Sequence, residues 1–156
     1  MILTLTIKLV RGFCARPWQA KLEIDESAIL EDLHQAIQKA VGFDDDHLYE
    51  FYIAKTERSR ERISFDDENE GLYEITLNSV FPLETGKKFF YLFDYGDDWV
   101  FQIIPSRKKP FPPVAGIEYP RVIAESGTKP EQYPDWDEED DEDEYREWDE
   151  DDGYPV

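Results

Sequence analysis

At 156 residues, 15% of them aromatic, the chain is long enough for one self-sufficient core, since a domain of about 130 residues removes roughly two-thirds of its surface from water. The formal net charge of −20 is gathered at one end: Glu131 to Asp152 holds 15 acids and one base, a net −14, and the remaining −6 is ordinary for a soluble domain. A single cysteine, Cys14, excludes an internal disulfide and a multi-cysteine zinc site, and no window approaches the ~20 apolar residues that span a bilayer.

In chain order, Ile2 to Val10 alternates Leu3, Leu5, Ile7 and Leu9 against Ile2, Thr4, Thr6 and Lys8, the period of a strand. With no basic leader ahead of it, a soluble, cytoplasmic protein is expected. Arg11 to Pro17 connects to a second alternating run, Trp18 to Ile24, and the two predict an antiparallel hairpin. Asp25 and Ser27 then offer capping oxygens ahead of Ile29, Leu30, Leu33, Ala36, Ile37, Ala40 and Val41, whose three- and four-residue intervals predict a helix from Ala28 to Val41. Gly42 stands where a left-handed cap ends it. After the polar Asp44, Asp45 and Asp46, the stretch Leu48 to Ile53 reads as a third strand, and strand–strand–helix–strand is the opening of a β-grasp arrangement.

Lys55 to Gly71 is charged and loop-like, with a short edge strand at Ile63 and Phe65; Thr76 to Phe81 forms one helical turn, stopped by Pro82. Phe89 to Ile104 predicts a hairpin, two aromatic arms around Gly96 to Trp99. Tyr119 to Glu125 adds a short strand before Gly127. From Glu131 onward the acids repel one another, with Tyr133, Trp136, Tyr145, Trp148 and Tyr154 interleaved as groups that dock on the body or meet a partner.

Candidate site residues cluster at that hairpin and at two histidines. Asp94, Asp97 and Asp98 offer the carboxylate oxygens a hard divalent cation prefers, which would suit a metal-dependent phosphodiester hydrolase. Turn chemistry explains the same aspartates, because their side chains bond the local backbone and the bend then seats Trp99 among apolar neighbours. Strand alternation also sends Asp97 and Asp98 in different directions, so no metal set and no catalytic residue is assigned. His34 in the helix and His47 before the third strand have no serine or cysteine pattern beside them, and Cys14 has no histidine partner. Arg58, Arg60, Arg62, Lys87, Lys88, Arg107, Lys108 and Lys109 would make a phosphate-binding patch if they merged, with the acidic tail as an internal competitor.

Two segments carry a resemblance. Leu33-His34-Gln35-Ala36-Ile37-Gln38, followed by Phe43 and Asp46-His47-Leu48-Tyr49-Glu50-Phe51, resembles the first half of the plasmid pRiA4b open-reading-frame-three-like family. Phe90-Tyr91-Leu92-Phe93-Asp94-Tyr95-Gly96-Asp97-Asp98-Trp99 resembles its YDFGDDW-type hairpin, and the likeness runs from about Ile2 to Tyr133. It implies a compact α+β domain with a β-grasp-like start and a link to mobile elements, but no activity. Members often continue into a Cys-Pro-Pro-Glu-Asp-Cys-Gly-Gly-like segment. Here Thr128 to Asp135 keeps only Pro130 and Glu131, so a thiol or metal role there does not carry over.

The expectation is therefore an α+β fold: a β-grasp-like ββαβ start, then an antiparallel hairpin, in one domain over residues 1–132 with an acidic, aromatic tail over 133–156. Function is expected to be that of a non-catalytic interaction module accessory to mobile-element biology, the metal-dependent phosphodiesterase being the alternative. Asp94, Tyr95, Asp97, Asp98, Trp99, His34 and His47 are its candidate binding residues, with no cofactor. The acidic tail is a contact for a protein partner, nucleic acid is left open, and no membrane association is expected.

Overall fold

The computed structural model describes residues 1–12, 16–66, 68, 71–95 and 98–130. Cys14, Gly96, Asp97 and the tail from Glu131, all singled out in the sequence, lie outside the described residues.

The strands are β1 (Ile2–Arg11), β2 (Trp18–Asp25), β3 (Tyr49–Ala54), β4 (Ile63–Phe65), β5 (Lys88–Phe93), β6 (Trp99–Pro105) and β7 (Arg121–Gly127). They form one seven-stranded sheet in the order β4-β3-β5-β6-β1-β2-β7. Every neighbouring pair is antiparallel. Helices are few: α1 (Leu30–Val41) and the four-residue α2 (Gly71–Glu74) and α3 (Leu77–Val80).

This overturns the expected α+β, β-grasp-like class. The predicted order strand–strand–helix–strand is present, but it is only part of one seven-stranded antiparallel sheet in which strand far outweighs helix. Here β3 pairs with β4 and β5, and the free side of β1 is taken by β6, in the register Ile7↔Ile103 and Leu9↔Phe101. The fold is mainly β, with one substantial helix laid on the sheet. Among the described residues, no helix is long and apolar enough to cross a membrane.

Burial follows the two periods of the sequence. Leu5, Ile7 and Leu9 of β1, Trp18, Ala20, Leu22 and Ile24 of β2, and Phe89, Tyr91 and Phe93 of β5 share the face on which Leu30, Leu33, Ile37 and Val41 of α1 are packed. Each such side chain contributes about 1.5–3 kcal/mol when fully buried. On the other face Tyr52, Ala54, Phe90, Leu92 and Val100 make a second, smaller cluster. Arg62 lies over the Tyr52 ring at 3.9 Å, and the Tyr52 hydroxyl donates to the Glu57 carbonyl at 2.6 Å, which pins part of the 55–62 loop there.

The helix begins two residues later than the predicted Ala28. Asp25 Oδ1 accepts from the Ser27 N–H and hydroxyl, a turn that uses both expected capping residues upstream of the helix. At the true start the Asp32 carboxylate accepts the Ile29 N–H at 3.1 Å. Gly42 ends α1 as expected, at φ 82°, its N–H bonded to the Gln38 carbonyl.

Candidate functional site

The β5–β6 connection is built from aspartate. Asp94 and Asp98 both adopt left-handed backbone, φ 67° and 55°, a region aspartate tolerates because its short side chain can bond locally. The Asp98 N–H donates to the Asp94 carbonyl at 2.6 Å, and the Asp94 N–H donates to the Leu48 carbonyl at 2.9 Å, tying the bend to the start of β3. The carboxylates of Asp94 and Asp98 meet different partners. Asp98 Oδ2 lies 3.2 Å from Arg11, whose Nε donates to Glu57 at 2.9 Å; Asp94 Oδ2 lies 3.5 Å from His47 Nε2. Among the described residues, no three His, Cys, Asp or Glu side chains are grouped to hold a metal ion.

Trp99 opens β6 and is 1% exposed. Its ring meets Phe43 at 5.1 Å, and Gly12 passes so close that a Cβ there would stand 2.2 Å from Trp99 Cε3. The expectation that this tryptophan sits among apolar neighbours is met. Tyr95, by contrast, is 44% exposed, its hydroxyl 3.4 Å from the Tyr49 carbonyl, and Leu48 is 60% exposed.

The two histidines have different surroundings. His47 is partly exposed, close to the Asp46 and Asp94 carboxylates and edge-on to Phe93. His34 is 1% exposed and belongs to a closed ring of four residues. Its Nε2 donates to Asp45 Oδ1 (2.7 Å), which makes Nδ1 the acceptor for the Tyr91 hydroxyl (2.6 Å). That hydroxyl accepts from Gln38 Nε2 (2.8 Å), and Gln38 Oε1 accepts the Asp45 N–H (2.9 Å). Tyr49 stacks flat on the imidazole, centroids 3.6 Å apart, and its own hydroxyl donates to Glu31. Burial pushes the Tyr91 and Tyr49 hydroxyls well above the ordinary tyrosine range, so both remain protonated donors. The ring locks α1, the 43–48 loop, β3 and β5 together, and both imidazole nitrogens are engaged in it.

Sequence reasoning named His34 and missed its partners Gln38, Asp45 and Tyr91. The signal was there: His34, Gln38 and Val41 fall on one side of the helix, and Tyr91 shares a strand face with Phe89 and Phe93. The arginines expected in a basic patch are partly neutralised. Arg58 pairs with Glu57, and Arg62 is held by Ser59, Tyr52 and Glu50.

Burial is the larger influence on the His34 imidazole and lowers its pKa below the ordinary 6.5, against the opposing pull of Asp45. In the unfolded chain this histidine takes up a proton near pH 6.5, while in the folded protein it stays neutral to lower pH. The unfolded state therefore binds more protons below pH 6.5, and His34's contribution, fully present above that value, is lost as pH falls toward the folded pKa. Urea unfolding between pH 7 and 5 is expected to show this decline, and His34→Gln to flatten it relative to wild type. Equal slopes in both proteins would exclude His34 as its source.

Comparison with known proteins places this arrangement. The family model described as plasmid pRiA4b ORF-3-like protein matches residues 2–154, beyond the stretch in which the resemblance was read. The uncharacterized protein y4hQ of Sinorhizobium fredii is 32% identical over 101 residues, 65% of this chain and 50% of that protein. The chain thus matches about half the length of that curated relative. The crystal structure of MM3350 from Methanosarcina mazei Go1, a protein of unknown function, is similar at a TM-score of 0.64 and 25% identity, over 80% of this chain and 68% of that one.

Proposed function

This chain belongs to the plasmid pRiA4b ORF-3-like family, and from that premise we propose that it is a non-catalytic interaction module, accessory to mobile-element biology, whose contact surface is the tip of the β5–β6 hairpin. One observation carries this reading: the polar groups beside the tip bond one another, while two large side chains there face water. Arg11 holds Asp98, His47 lies against Asp94, and the His34 ring is closed, yet Leu48 and Tyr95 stand exposed on segments joined by the Asp94–Leu48 backbone bond. Tyrosine is among the side chains enriched at interface hot spots, and Leu48 adds apolar area next to it. The exposed Asp44 and Asp46 nearby suit a partner that is a protein with a basic rim. The tail's −14 adds long-range attraction for the same partner.

The test uses the full chain as bait in host extract, wild type against Leu48→Ser/Tyr95→Ser. A discrete protein retained by wild type and lost by the variant, with thermal unfolding unchanged, is the expected result. The same protein recovered by both, or nucleic acid as the retained species, would overturn the proposal.

A further inference from the structure

On the helix-bearing side of the sheet, α1 stops short of the edge. The side chains of β2 that face α1 are buried, whereas all seven residues of the edge strand β7 are exposed, Val122 by 44%. Between them runs an open groove of about 1080 Å³, floored by Leu22, Ile24 and Val122, walled on one side by Ala36 and Ala40 of α1 and on the other by Tyr119. Ala36 and Ala40, one turn apart, are too small to reach across to β7.

We propose that this groove is occupied by the chain's own C-terminal segment, with Tyr133 and Trp136 as the side chains that fill it. The route of the backbone supports this. After β7 the Thr128 N–H donates to the Pro17 carbonyl at 3.0 Å. Lys129 then passes beside Gly42 at the C-terminal end of α1, its Nζ 3.7 Å from Glu125. Lys129 itself lines the groove, and Pro130 is half-buried, so the chain leaves the described structure at the groove's mouth.

The lengths also agree. The groove follows α1, whose 12 residues span about 18 Å at 1.5 Å each. Glu131 to Trp136, extended at ~3.3 Å per residue, covers about 20 Å, enough to run back along the helix from Lys129 toward Tyr119. A segment laid along that path would carry Tyr133 past Ala36 and Val122 and bring Trp136 to Tyr119. The sequence is apportioned to match. Between Pro130 and Trp136 stand only two acids, Glu131 and Asp135, whereas Asp137 to Glu144 is eight acids in a row. The aromatic part suits the groove's apolar floor, a tryptophan alone carrying about 150–250 Å² of contact area, while Lys39 and Arg121 on its charged rim can meet the two acids and the acidic run suits water.

The full-length protein with p-benzoylphenylalanine in place of Trp136 tests this directly. Irradiation is expected to give crosslinks within one chain, mapping to the groove around Tyr119 and Val122, and Val122→Arg, at an exposed position, is expected to abolish them. Crosslinks joining two chains would assign the groove to a second copy and overturn the proposal. So would crosslinks mapped to the opposite face of the sheet, no crosslink at all, or a yield unchanged by Val122→Arg.

Discussion

Trp99→Ala is expected to cost roughly 3–5 kcal/mol in urea unfolding, the usual range for deleting a fully buried large aromatic. The side chain touches three parts of the fold at once. It opens β6 opposite Phe93, packs on Phe43 from the loop after α1, and receives the end of β1 through the bare backbone of Gly12. Truncation leaves a cavity whose walls are anchored in the sheet and cannot close over it. Trp99→Phe should lose far less. The indole N–H has no hydrogen-bond partner among the described residues, so the smaller ring gives up volume without orphaning a partner. A Trp99→Ala protein within about 1 kcal/mol of wild type would contradict the central place given to this side chain.

Tyr91→Phe removes a single oxygen and is expected to cost about 2–4 kcal/mol, because two buried groups lose their partner at once at about 1–3 kcal/mol each. His34 Nδ1 and Gln38 Nε2 both bond that hydroxyl, and neither residue is exposed enough for water to replace it. If the four residues act as a unit, Gln38→Ala should cost much less in a Tyr91→Phe background than in wild type, and a double-mutant cycle by denaturant measures that coupling. Additive losses would mean that the two contacts are independent, and the ring no more than a coincidence of neighbours.

How much of this was legible beforehand varies with the kind of information. Local structure was. Period 2 at Leu5, Ile7 and Leu9 and period 3.6 at Leu33, Ile37 and Val41 reported which faces are buried, and both are burial faces in the fold. Strand partnership was not, because an alternating run states which side is apolar and says nothing about its neighbour. The Ile2–Arg11 strand reads equally well in a small grasp or in the middle of a seven-stranded sheet. That ambiguity is why the β-grasp reading failed while nearly every element survived. The hairpin aspartates were placed correctly near a bend at Asp94 and Asp98, and Asp97 lies outside the described residues. The histidine ring was half visible. A polar residue on an apolar helix face signals a buried partner, but the partner came from a strand some 57 positions away, a pairing only the folded topology reveals.

The strand order also dictates a timetable. The first hairpin is local, yet its two flanks are closed by late arrivals: Leu9 meets Phe101, and Trp18 meets Gly127. During synthesis the outer backbone edges of β1 and β2 therefore stay unpaired until β6 and, about a hundred residues after the hairpin, β7 have been made. Such distant closures are slow, since loop entropy is lost before the contacts that compensate it are made. Refolding is accordingly expected in the millisecond-to-second range, which stopped-flow refolding by tryptophan fluorescence would measure.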